Sequence, residues 1–184
     1  MKYPSCILKG DNSVGNSLSI AYAKKGQALD AGAKMIHIGK NTRSNIVSKS
    51  IAQNGGISNY RGTAKITKSA LNSKAYIKCD TILLDNESKS DTYPKNILEN
   101  EFVRTINNGG FISIEPNIMC ASNEVIANHL TTIGILDKES INYLMSKGLS
   151  EDKAKELLIM GFIADFKKEL PMEYAVELNR LLKS

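Results

Sequence analysis

Residues 76–85 read YIKCDTILLD, a short run in which polar and apolar side chains alternate around a single cysteine. Successive side chains of an extended strand point to opposite faces. The alternation therefore places Ile77 and Cys79 on one face and Lys78 and Asp80 on the other. Because unpaired cysteine is among the residue types most often buried, this pattern by itself predicts that Cys79 lies in a hydrophobic core.

Similar segments recur along residues 1–134, separated by clusters of Gly, Asn, Ser and Lys. They begin roughly every ten residues, and none has a helical period of useful length, which predicts an all-β structure. Short strands joined by polar corners in coils of about twenty residues favour a parallel β-helix, although periodicity alone leaves a sandwich or a barrel open. The segments are KMIHIG (34–39), NIVSKSIA (45–52), TAKIT (63–67), YIKCDTILL (76–84) and GFISIEP (110–116).

The pattern becomes helical after residue 136. We expect a first helix over residues 138–147, capped by Asp137 and stopped by Gly148. Acidic residues in a first turn and apolar residues at helical spacing predict a second helix after Ser150. A third begins at Pro171, where the missing N–H is harmless. The predicted domains are a β-helix core over residues 1–134 and a helical module over residues 135–184.

Composition excludes several classes of protein. With 42% hydrophobic and 23% charged residues in 184, the chain is neither disordered nor rich enough in apolar runs to span a membrane. The net charge of +5 comes mainly from scattered lysines, so we expect neither nucleic-acid nor membrane partners. Three separated cysteines and the lack of a signal peptide predict free thiols in a reducing compartment. No nucleophile elbow, phosphate-binding loop or zinc-protease motif occurs, which argues against an autonomous enzyme.

Two histidines are candidates for chemistry. His37 is flanked by apolar residues in a predicted strand, so we expect a structural, hydrogen-bonded role. His129 ends the β region, and imidazole together with the thiolate of Cys79 suits iron, zinc or an iron–sulfur cluster. One cysteine and one histidine cannot complete a four-coordinate site, so a metal bound there needs ligands from another chain. Cys6 and Cys120 have packing or incidental roles by default.

Several stretches resemble the C-terminal part of the SufB/SufD family of iron–sulfur cluster assembly proteins, and its SufB branch in particular. The resemblance covers nearly the whole chain in the family's order and implies a right-handed parallel β-helix flanked by helices. The stretches are KYPSCILKGDNSVG (2–15), AGAKMIHIGKNTRSNIVSKSI (31–51), NYRGTAKI (59–66), KCDTILL (78–84) and ELPMEYAVELNRLL (169–182).

The resemblance also implies a site and partners. It assigns Cys79 and His129 to a nascent iron–sulfur cluster at the interface with a SufD-like or second SufB-like core. It implies that residues 137–184 dock a SufC-type ABC ATPase and that a cysteine desulfurase system supplies the sulfur. The chain would then be a scaffold rather than an enzyme. The alternative is a SufD-like structural core that recruits the ATPase without binding a cluster, and a β-helix acyltransferase or carbohydrate-binding module is a more distant one.

The chain departs from the family pattern at several positions. Asn128 and Leu130 flank the histidine where glutamates are common, and Ser88 and Asp91 replace a cysteine and a histidine. Residues 95–116 look like an insertion of about one coil that protrudes as a loop. The β-helix core also looks incomplete at its N-terminus, where family members are longer.

Two further expectations concern reactivity and location. A reactive thiol needs a depressed pKa, and Lys78 is poorly placed to lower that of Cys79 because it falls on the opposite strand face. The excess of Lys over Arg, with abundant Asn and Ile, fits a plastid-type organelle such as an apicoplast or chloroplast. The bacterial cytoplasm is the alternative.

Overall fold

The computed structural model describes residues 1–99, 103–107, 125–136 and 138–169, together with residues 172, 174 and 176. The chain divides into two compact units, Met1–Ile135 and Leu136–Ser184. The strands described in the first unit are β1 (Ser5–Leu8), β2 (Val14–Ala23), β3 (Ala28–His37), β4 (Arg43–Ala52), β5 (Ile57–Ile66), β6 (Lys74–Leu83), β7 (Lys89–Thr92), β8 (Lys95–Leu98), β9 (Val103–Asn107) and β10 (Val125–Ile135).

All pairings among these strands are parallel, and they form two sheets. One sheet has the order β1-β3-β5-β7 with β8 also on β5, and the other has the order β2-β4-β6-β10-β9. From β1 to β6 the strands alternate between the two sheets along the chain. This arrangement confirms the parallel β-helix, while its right-handed winding stays a prediction.

The predicted coil of about twenty residues is wrong. From β1 to β8, residues aligned in neighbouring coils are 29 to 32 positions apart, as in the pairs Ser5 with Lys34, Arg43 with Lys74 and Ile57 with Lys89. Strand β10 aligns with β6 at a larger separation of 52 positions, as in the pair Lys74 with Ile126. Each complete coil contributes one strand to each sheet, and β2 to β6 are ten residues long. The segments identified in the sequence covered only the apolar parts of these strands. The outward residues of the strands are polar and could not be told apart from the polar residues of the corners.

Asparagines form one set of corners between coils. Asn12, Asn41 and Asn72 all have a positive φ, at 61°, 55° and 56°, a conformation that asparagine tolerates better than most residues. The amide of Asn12 donates to the carbonyl of Lys40 in the next coil at 2.8 Å. At the same corner a Cβ on Gly39 would lie 2.4 Å from the carbonyl oxygen of Gly10. The corner backbones therefore stack too closely for a side chain at residue 39.

The predicted insertion is not a protruding loop over its first residues. Lys95–Leu98 (β8) pairs with Thr63–Ile66, and Lys89–Thr92 (β7) pairs with Ile57–Tyr60 of the same strand β5. The two short strands are thus one line of pairing interrupted at Tyr93 and Pro94, because proline has no N–H to donate. Further along, β9 pairs with β10, and the segment at residues 110–116 lies outside the described residues.

The second unit contains helices α1 (Lys138–Ser146) and α2 (Glu151–Glu169). Gly148 follows α1 with a φ of 91°, and its amide donates to the carbonyl of Met145 at 2.9 Å, which confirms the predicted stop. The predicted cap at Asp137 and the helix start at Pro171 lie outside the described residues. None of the described helices is long and apolar enough to cross a membrane.

Candidate functional site

Cys79 lies at the centre of β6 and points into the β-helix. It is 2% exposed and belongs to the main hydrophobic cluster together with Ile46 and Ile77. The neighbouring residues in register are Ser48 on β4 and Thr131 on β10. Strand alternation therefore correctly predicted an inward, buried cysteine.

Burial makes Cys79 a weak acid. Desolvation, and to a lesser extent the negative charge of Asp80, raise the pKa of its thiol to about 12. A reactive thiolate needs the opposite shift. The protein as described therefore holds Cys79 as a neutral thiol, and a step that exposes it or binds it to a metal is required to make the thiolate.

Asp80 occupies the outer face of the same strand. Its carboxylate lies 3.4 Å from the ammonium of Lys78 and 3.7 Å from that of Lys49. Lys78 thus pairs with Asp80 on the face opposite Cys79, as strand alternation predicted. The positive charge next in sequence to Cys79 serves an ion pair, and it is not among the causes that set the pKa of Cys79.

The second candidate ligand, His129, lies on β10 next to β6. Its backbone is aligned with Ile77 on one side and Asn107 on the other, while Thr131 is aligned with Cys79. His129 is therefore one strand across and two residues along from Cys79, which separates their Cα atoms by about 8 Å. The fold brings the two predicted ligands to neighbouring positions, although 50 residues separate them in the sequence.

Three buried hydroxyls around Cys79 have no hydrogen-bond partner among the described residues. They belong to Ser48 and Thr131, which flank the cysteine in the sheet, and to Tyr60 on β5. Burial and the proximity of Cys79 raise the pKa of Tyr60. The nearby side chain of Ser17 opposes this shift, although the two hydroxyls do not meet hydrogen-bond geometry. Buried polar atoms are normally paired, and Asn45, Ser58 and Asn96 carry further unpaired atoms elsewhere in the β-helix. What distinguishes Ser48 and Thr131 is their alignment with Cys79.

Sequence analysis did not single out these three hydroxyls. The signal that identifies them is register, since Ser48 precedes Cys79 by one coil, and a coil of about twenty residues would have aligned other residues with it.

His37 has a structural role, as predicted. It is fully buried, and its two ring nitrogens lie 2.8 Å from the hydroxyl oxygens of Thr42 and Ser44. Thr42 in turn lies 2.7 Å from the hydroxyl of Ser73 in the next coil. Burial lowers the pKa of His37 to about 4, so this histidine is neutral at physiological pH.

The remaining candidates lie apart from Cys79 or outside the described residues. Cys6 is exposed on β1, and Cys120 lies outside the described residues. Ser88 is buried and donates from its hydroxyl to the carboxylate of Asp85 at 2.9 Å, which holds a turn. The backbone amide of Asp91 donates to the side-chain oxygen of Asn59 at 3.2 Å.

No group of three metal-ligating side chains occurs within the part of the chain that is described. One thiol and one imidazole at neighbouring positions supply at most part of an iron or cluster coordination shell. Within the described residues, the arrangement thus offers the thiol of Cys79 on β6 and the position of His129 on the adjacent strand β10.

Comparison with known proteins identifies the family of the chain. A family model described as "SUF system FeS cluster assembly, SufBD core domain" matches residues 1–113 and 105–162. Proteins named "Iron-sulfur cluster assembly SufBD family protein" from Staphylococcus epidermidis and Staphylococcus aureus are 48% and 46% identical to the chain over 183 residues. The matches cover 100% of the chain and 35% of each relative, so the chain spans about a third of the length of these relatives.

Proposed function

Because the chain belongs to the SufBD family of iron–sulfur cluster assembly proteins, we propose that it acts as a scaffold on which a nascent cluster is built. Cys79 binds sulfur or iron through its thiolate, and His129 supplies a neutral imidazole as a second ligand. The remaining ligands come from a SufD-like or second SufB-like core. The cluster is cargo that is assembled and passed on, and the chain itself is not an enzyme.

One observation carries this proposal. Cys79 and His129 lie on adjacent strands of one sheet, two residues out of register. A thiolate and an imidazole at such neighbouring positions can reach a common iron atom or cluster once the site opens.

Because Cys79 is buried, the site must open before Cys79 can bind iron or sulfur, and ATP hydrolysis by the partners could drive that opening. A thiol with a pKa of about 12 at 2% exposure accepts neither iron nor sulfur readily. We expect movement of bound SufC-type ATPases to expose the site, with sulfur supplied by a cysteine desulfurase system.

Anaerobic reconstitution tests the scaffold role. The full chain is assembled with SufD- and SufC-type partners and supplied with ferrous iron and a sulfur donor. Cys79→Ala and His129→Ala should abolish or strongly reduce the visible thiolate-to-iron absorption, whereas Cys6→Ala, which removes the exposed cysteine, should leave it unchanged. Equal absorption in all four proteins would exclude Cys79 and His129 as cluster ligands.

A second candidate function is a SufD-like core that recruits the ATPase without holding a cluster. The raised pKa of Cys79 favours it, because a permanently buried thiol binds no metal. The same experiment decides between the two, since a SufD-like core would still assemble with the ATPase while Cys79→Ala and His129→Ala changed no spectrum.

Docking of the ATPase is proposed for residues 137–184. Helices α1 and α2 border an open groove of about 420 Å³, and its lining includes Tyr143, Leu144, Leu157 and Leu158. Tyr143 is 62% and Leu157 is 53% exposed, which leaves apolar area available to a partner. Tyr143→Ser and Leu157→Ser should weaken capture of a SufC-type ATPase about tenfold or more, whereas Met172→Ser, at another exposed apolar position, should not. Equal capture by all three variants would place docking elsewhere.

We propose the bacterial cytoplasm, the alternative named from the sequence, as the location of the chain. The relatives are bacterial proteins, which supports the bacterial cytoplasm and gives no support to the plastid-type organelle expected from composition.

A further inference from the structure

The hydroxyls of Ser48 and Thr131 beside Cys79 are buried and have no partner among the described residues. Ser48 is 1% exposed, and its hydroxyl oxygen contacts no acceptor or donor in the described part of the chain. The hydroxyl oxygen of Thr131 is equally buried and unpaired. A buried polar group without a partner costs about 1–3 kcal/mol, so two of them on either side of one cysteine call for an explanation.

Both hydroxyls belong to residues that are aligned with Cys79 in the sheet. Ser48 on β4 and Thr131 on β10 are each aligned with Cys79 on β6, so the three residues form one row across the sheet. Neighbouring strands in a sheet are about 4.8 Å apart. Tyr60, which is 2% exposed, adds a third unpaired hydroxyl from the opposite sheet.

The thiol of Cys79 does not satisfy these hydroxyls, because neither Ser48 nor Thr131 hydrogen-bonds to it. A second sulfur atom attached to Cys79 would stand about 2.05 Å beyond the first. The Ser48 and Thr131 hydroxyls belong to the residues aligned with Cys79 on the two neighbouring strands, and a persulfide that carries negative charge accepts hydrogen bonds strongly.

We propose that Ser48 and Thr131 are positioning residues that donate hydrogen bonds to the outer sulfur of a persulfide on Cys79, with Tyr60 as a third donor. This inference rests on the proposed function, since it requires Cys79 to accept sulfur. The Cys79 thiolate attacks the outer sulfur of a cysteine persulfide on a donor protein. A new S–S bond forms at Cys79, the S–S bond of the donor breaks, and the donor cysteine leaves as a thiolate.

A hydrogen bond from Ser48 to the persulfide should affect stability and sulfur binding differently. In the sulfur-free protein the Ser48 hydroxyl has no hydrogen-bond partner among the described residues, so Ser48→Ala should leave the thermal midpoint unchanged or raise it. In the persulfide form the same change should lower affinity for the sulfur atom. Ser48→Ala should therefore lower sulfur retention without lowering the thermal midpoint. A merely structural role for Ser48 would lower both.

The experiment measures how sulfur is shared between Cys79 and a small-molecule thiol. The full chain, assembled with SufD- and SufC-type partners, is equilibrated with cysteine and cysteine persulfide. Alkylation and peptide mass spectrometry then give the fraction of Cys79 that carries the extra sulfur. Ser48→Ala and Thr131→Val should each shift the sharing constant about five- to tenfold toward the free thiol.

Matched variants separate the outcomes. Ser50→Ala removes a buried hydroxyl from the same inward face of β4, but Ser50 is aligned with Thr81 and not with Cys79. This variant should therefore share sulfur as the unchanged protein does. Thr131→Ser keeps the hydroxyl and should retain sulfur normally, which keeps the test informative if Thr131→Val fails to fold. Sharing constants that are equal in all variants, or equally lowered by Ser50→Ala, overturn this inference alone. A folded, unchanged protein whose Cys79 accepts no sulfur overturns the proposed function and this inference together.

Discussion

The alkylation rate of Cys79 measures how firmly the isolated protein keeps its site closed. With a pKa of about 12, roughly one thiol in ten thousand is ionised at about pH 8, against about a quarter for a thiol of pKa near 8.5. The thiolate is thus about two thousandfold scarcer. A more basic thiolate is also more nucleophilic, which recovers about fortyfold. Cys79 should therefore react roughly fiftyfold more slowly than an ordinary thiol, before its 2% exposure slows it further.

The exposed Cys6 of the same chain provides the internal reference. Iodoacetamide is added to the native protein, aliquots are quenched over time, and peptide mass spectrometry gives a separate rate for each cysteine. Denaturant should bring the two rates together, because the protection of Cys79 depends on the fold. SufC- and SufD-type partners with ATP should accelerate Cys79 and leave Cys6 unchanged. Rates within about threefold of each other in the native protein would refute the assignment of Cys79 as a buried, neutral thiol.

Three further predictions concern the fold. The pKa of His37 is lowered from 6.5 to about 4, so its neutral form stabilises the protein above pH 6.5 and this contribution is lost as the pH falls toward 4. Between pH 7.5 and 4.5 the free energy of unfolding should fall by roughly 2.5 kcal/mol because of His37. Denaturant titration of His37→Gln should show a pH dependence that is smaller by this amount. Equal pH dependence in the two proteins would contradict the burial of a neutral imidazole. At the corner of φ 55°, Asn41→Ala should lower the free energy of unfolding by about 1 kcal/mol while Asn41→Gly is close to neutral, and the reverse order would contradict the left-handed backbone. Gly39→Ala should cost more than Asn41→Ala in the same titration, since its Cβ would lie 2.4 Å from the carbonyl oxygen of Gly10, and a neutral result would show that the coils stack less closely.

Much of the fold could be predicted from local signals. Alternation identified the inward position of Cys79, and flanking apolar residues identified His37 as structural. Gly148 marked the end of α1, because only glycine readily adopts the φ of 91° found there. Each of these inferences depends on interactions within a few residues of chain, which the sequence records directly.

The site could be predicted in part. Residue types predicted the chemistry of Cys79 and His129 and a need for ligands from another chain, and the resemblance to the SufB/SufD family selected these two residues; both stay predictions. The pKa of Cys79 could not be predicted, because it depends on how completely neighbouring coils exclude water from the interior. The sequence showed only that a reactive Cys79 would need a depressed pKa, whereas burial raises the pKa of its thiol.

The sequence by itself determined that this chain forms strands with an inward Cys79, followed by helices, and its resemblance to the SufB/SufD family selected the parallel β-helix. It also predicted that Cys79 and His129 carry sulfur or iron. Only the tertiary structure decided which residues meet. The alignment of Ser48, Cys79 and Thr131 in one row depends on the number of residues in each coil. That number is set by strand lengths and corner geometry together, and a shift of one residue would turn every side chain to the opposite face.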